Sequence, residues 1–256
     1  MRTTLFSLTL CIVAGGALAA PALPVSAPGP GKLPVVTVDA HLGAAADDTD
    51  FLFRLGMLEG HLMIGHELLQ NNQAALALPH FGHPVRELYD DISGYLQQKR
   101  FPPFDRQLAA LEALIAAAPT APKTEAAYQD VVATVRKARD LAPAELRASI
   151  PEMISICSDT IDAASGEFGE ALEHGRIASI VEYHDSKGYL EYVAQQLDDL
   201  SKTHPDSESQ GVLERFRAIL AKAQWIVEPL LPSAAPRASV STYRSFAKEA
   251  ASLAKQ

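Results

Sequence analysis

From Asp50 to the C-terminus the apolar positions recur at helical spacing almost without interruption. The period predicts helices over about 49–71, 84–100, 104–118, 124–141, 150–174, 176–202, 208–228 and 239–255. Breaks fall where backbone chemistry stops a helix: Asn71-Asn72, Pro102-Pro103, Pro119 to Lys123, Gly175, His204-Pro205-Asp206 and Pro229 to Pro236. No run alternates with period two for long enough to predict a sheet. The expected fold is an all-α, antiparallel bundle of about six to eight helices with short loops, one domain over residues 49–256.

The pattern changes before residue 49. Residues 1–19 carry Arg2, an apolar stretch from Leu5 to Val13, and Ala17-Leu18-Ala19 as a cleavage signal. They read as a secretory signal peptide. Residues 20–48 are rich in Pro, Ala and Gly, and read as an extended leader with one short strand-like run over 33–38. The expected destination is therefore export, to the periplasm in a Gram-negative cell.

Inside the first predicted helix lies EGHLMIGHELL, residues 59–69. Leu55, Leu58, Leu62 and Leu69 form one apolar stripe, with Glu59, Met63 and His66 along its edge. Met57, Ile64 and Leu68 form a second apolar face with His61 beside it. A helix apolar on two sides is central in its bundle, so Glu59, His61 and His66 are expected to be at least partly buried. Gly56 and Gly60 would let another helix approach at their height. Burying ionisable groups costs several kcal/mol unless they are paired or metal-bound.

A second cluster follows. PHFGHPVRELYDD, residues 79–91, places His80, His83 and Glu87 at spacings of three and four. With Pro84 at the first helical position, His80 falls in the approach loop. A connection over residues 71–79 would make the two helices antiparallel neighbours and bring His66 to His80 and His83. In a third stretch, IVEYHDSKGYLEY, Glu182 shares a face with Tyr189, Val193 and Leu197, whereas His184 falls on another side with Glu191.

Imidazoles and carboxylates in this arrangement are donors for zinc, iron or copper, which the sequence does not distinguish. The expected ligands are His66, His80, His83 and Glu87, supported by Glu59, His61 and Glu182. The leading reading is thus an exported bundle binding a transition-metal ion in uptake, buffering or trafficking. The alternative is a scaffold, partnered by another exported protein, whose buried His and Glu form a structural hydrogen-bond network. A metal-assisted enzyme ranks third. The chain lacks HExxH, paired Glu-x-x-His, CxxCH and GxSxG, so catalysis has no motif behind it.

Charge and cysteine content narrow the partners. With 22 basic and 31 acidic residues and a net charge of −9, nucleic acid and anionic membrane surfaces are disfavoured. Of two cysteines, Cys11 lies in the signal peptide, which leaves Cys157 alone, on the apolar side of its helix and without an intramolecular disulfide. No later segment is long and apolar enough to span a bilayer.

Overall fold

The computed structural model describes residues 45–83 and 87–255, without the side chain of His83. Residues 1–44, with the expected signal peptide and most of the expected leader, lie outside these residues. The first helix, α1 (Asp48–Gln70), starts where the leader's composition ends. Asp47 caps it by accepting from the backbone N–H groups of Thr49 and Asp50, and Asp48 and Asp50 place negative charge at its positive end. It stops at Asn71-Asn72, where Asn72 takes the left-handed conformation (φ 60°).

The described helices then run α2 (Ala74–His83), α3 (Tyr89–Gln98), α4 (Asp105–Ala117), α5 (Pro122–Arg139), α6 (Ala144–Ala148) and α7 (Ile150–Glu170). After a two-stranded hairpin, β1 (Leu172–Glu173) and β2 (Arg176–Ile177), come α8 (Ile180–Thr203), α9 (Ser207–Ile226) and α10 (Val240–Leu253). The protein is an all-α helical bundle. None of its described helices is long and apolar enough to cross a membrane.

Three local features differ from the sequence expectation. Residues 71–79 are not a loop: α2 begins at Ala74 and carries Pro79 in its interior. The run Ala74 to Leu78 consists of strong helix formers, which outweigh the hydrogen bond the proline forfeits. His80 therefore sits on a helix. Secondly, α7 ends at Glu170, and His174 and Gly175, both with positive φ, turn the hairpin that follows. Two left-handed residues in a two-residue loop match the twist of paired strands. Thirdly, the short α6 precedes α7.

Two helices are central. α1 packs on α2, α3, α5, α7 and α8, and α8 packs on α1, α2, α7 and α9. Helices α7, α8, α9 and α10 touch in a closed ring, the contacts of a four-helix bundle, and α1 lies against α7 and α8. α1 and α8 cross where glycine faces glycine. A Cβ on Gly60 would stand 2.8 Å from a Tyr189 ring carbon and 3.0 Å from Gly188 O; one on Gly188 would stand 2.8 Å from Ile64 Cγ2. The close approach expected at Gly56 and Gly60 is thus made by α8, with the Tyr192 ring over Gly56.

Candidate metal centre

At this crossing three helices each contribute one buried polar side chain. His61 comes from α1, one residue past Gly60. His80 comes from α2, on the face that Ala77 and Phe81 also bury. Asp185 comes from α8, one turn before Tyr189 and three residues before Gly188. They are 4%, 0% and 2% exposed, respectively.

Asp185 Oδ1 lies 2.7 Å from His61 Nδ1 and 2.7 Å from His80 Nδ1. One donor atom from each of the three residues falls within 4.8 Å of the others, the grouping needed to hold a metal ion. Around them the other ring nitrogens are partly committed. Tyr189 Oη is 3.1 Å from His61 Nε2. His80 Nε2, by contrast, is buried without a hydrogen-bond partner among the described residues.

His80 also meets a fourth side chain. Its ring centroid stands 5.5 Å from that of His184, the two planes inclined at 67°. His184 is fully buried and donates Nε2–H to Leu230 O at 2.8 Å, while its Nδ1 has no partner among the described residues. Burial holds the His184 pKa below the ordinary value of 6.5, against the backbone hydrogen bond to Leu230, which raises it. His184, expected on a different side from the core-facing Glu182, is itself in the core. α8 is enclosed on nearly every side over its first four turns, so no single face describes its buried set.

The remaining sequence candidates stand elsewhere. His66 does not meet His80; its Nε2 lies 2.9 Å from Glu125 Oε2, and its ring stacks on Tyr128 of α5 at 3.9 Å. The expected convergence assumed that the second helix starts at Pro84. Because α2 already starts at Ala74, His80 is two turns along it and lies against His61. Glu59 is buried in an ion pair with Arg139, with Gln195 Nε2 3.3 Å from its other oxygen. Glu87 is exposed. Glu182 is half-buried, with Oε2 enclosed and without a partner among the described residues. The side chain of His83 lies outside the described residues. Arg54, buried on α1, contacts Asp91 at 2.8 Å and Asp50 at 3.0 Å.

Asp185 is the residue that sequence reasoning missed. Its signal was Gly188, the counterpart on α8 of Gly60 on α1, which marks the level where the two helices meet.

The chain was compared with known proteins. Residues 143–255 match the family described as iron permease-associated 4-helix bundle domain. The matched stretch is shorter than half of the 256-residue chain and contains the ring of α7 to α10. It includes Asp185 and His184, whereas His61 and His80 precede it. No curated protein and no solved structure matches the chain.

Proposed function

We propose that this is an exported protein that binds a divalent transition-metal ion, iron foremost, at His61, His80 and Asp185, in uptake, buffering or trafficking. The observation that carries the reading is the buried meeting of two imidazole nitrogens on one carboxylate oxygen, 2.7 Å from each. Two imidazoles and a carboxylate with coordination positions left open is the donor set favoured by non-haem iron(II). The iron-permease association of the matched family supports the same ion. His83, three positions beyond His80, remains a ligand candidate on its sequence spacing alone. Export rests on the signal-peptide pattern of residues 1–19.

Donors around one tetrahedral ion with bonds of about 2.0–2.1 Å sit roughly 3.3 Å apart. The 2.7 Å contacts must therefore open by about half an ångström to admit an ion. The His80 contact is also a hydrogen bond, which supports a structural network as the second reading. Calorimetry separates the two. The mature protein, titrated anaerobically with Fe²⁺ and in parallel with Zn²⁺ and Cu²⁺, should bind one ion far more tightly than millimolar. His80→Ala or Asp185→Asn should weaken binding by about 100-fold or more. Millimolar affinity, or affinity unchanged by both variants, leaves only the structural network.

A further inference from the structure

The centre uses one edge of the His80 ring; the opposite edge has no assigned task. In this pair of facing rings two imidazole nitrogens are buried without a hydrogen-bond partner among the described residues: His80 Nε2 and His184 Nδ1. In each ring the other nitrogen is held by an acceptor. His80 Nδ1 is 2.7 Å from Asp185 Oδ1, and His184 Nε2 is 2.8 Å from Leu230 O. Those acceptors place the protons on His80 Nδ1 and His184 Nε2, so both bare atoms present lone pairs. Two buried acceptors with no donor cost free energy that a native fold seldom leaves uncompensated. A cation that accepts both lone pairs removes the cost.

The geometry suits an ion. An imidazole whose N–H is held by a carboxylate or a backbone carbonyl is the usual metal-ligating histidine, with its tautomer and orientation fixed from behind. Two such rings on one tetrahedral ion place their centroids about 5 Å apart. Here they are 5.5 Å apart and inclined at 67°.

We propose that His80 Nε2 and His184 Nδ1 form a second position for the same class of ion, across the His80 ring from His61 and Asp185. This rests on the metal-binding reading above and extends it. Two divalent ions on opposite nitrogens of one ring repel each other strongly. The positions are therefore occupied one at a time, and His80 is shared between them. Beyond the second position, the far nitrogen of His184 reaches Leu230 O, whose neighbour Leu231 is 57% exposed. The second position gives the ion a station between the first position and the His184 ring, which is tied to the segment after α9.

Asp185→Asn tests this with Zn²⁺ as probe, because asparagine keeps an acceptor for His80 Nδ1–H and removes the charge of the inner position. The variant should retain one Zn²⁺ per chain at reduced affinity, and adding His184→Gln should weaken that residual binding at least tenfold. Long-range ¹H–¹⁵N spectra should show His184 Nδ1 leaving its bare-nitrogen position as Zn²⁺ is added. If Asp185→Asn does not fold, His61→Gln serves as the background. Residual binding that is absent, or indifferent to His184→Gln, overturns the second position while wild-type binding keeps the first. A wild type that binds no metal overturns both.

Discussion

One carboxylate oxygen, Asp185 Oδ1, stands 2.7 Å from two imidazole nitrogens in a region closed to water, and its neighbours show what such groups require. Glu59 is equally buried but has the Arg139 guanidinium, itself set over the Tyr192 ring at 5.5 Å. Glu59→Ala strands that cation and should cost about 2–3 kcal/mol in urea unfolding while leaving metal affinity unchanged. His184 behaves differently with pH. Its folded pKa is depressed, so the unfolded state takes up a proton first as pH falls below 6.5. The stability it contributes is complete above that pH and is lost on acidification; His184→Gln should flatten the acid limb of a stability–pH curve. Glu191 has the opposite sign. Burial and the hydrogen bond with Glu67 push its carboxyl up to about 7 from 4.5, against the attraction of Lys187. The folded carboxyl keeps a proton that the unfolded one has released, so stability falls as pH rises through that window. Relative to the wild type, Glu191→Gln should gain stability between pH 5 and 8.

At the level of elements, the α1–α8 crossing decides whether the centre exists, since it aligns His61 with Asp185. A methyl group on Gly188 would meet the Gly60 backbone and stand 2.8 Å from Ile64 Cγ2, with no flexible side chain able to yield. Gly188→Ala should destabilise by about 1–3 kcal/mol and weaken metal binding as well, because α8 must move away from α1. Gly94 makes the contrast: a Cβ there meets nothing within 4 Å, and Gly94→Ala in α3 should stabilise by about 0.5–1 kcal/mol with no change in affinity. Thermal melts of the two variants read both outcomes. Most helices were legible from period and punctuation, because Pro, Gly and Asn stop a helix for local reasons. Pro79 misled because propensity on its N-terminal side carried the helix through it. That displacement of the second helix is why His61, rather than His66, meets His80. Asp185 was not legible for another reason: a single wheel separates an apolar face from a polar one, and α8 has hardly any exposed face over its first four turns.

Across the whole molecule, the fold class follows from composition and period, and the closed ring of α7 to α10 coincides with the stretch that matches the iron permease-associated domain. The centre does not lie wholly inside that stretch. Asp185 and His184 come from it, and His61 and His80 come from α1 and α2 packed against it, so the matched segment alone carries an incomplete donor set. Cys157 is no alternative: it is fully enclosed, and burial pushes its thiol up to about 12, which removes the thiolate a soft-metal ligand would need. The most direct test is an anomalous-difference map from crystals of the protein grown or soaked with Fe²⁺ under anaerobic conditions, and with Zn²⁺ in parallel. The account predicts a strong buried peak at bonding distance, about 2.0–2.2 Å, from the His61 and His80 nitrogens and an Asp185 oxygen, or across the His80 ring at His184. Buried density without an anomalous signal, or metal confined to surface carboxylates, would contradict it.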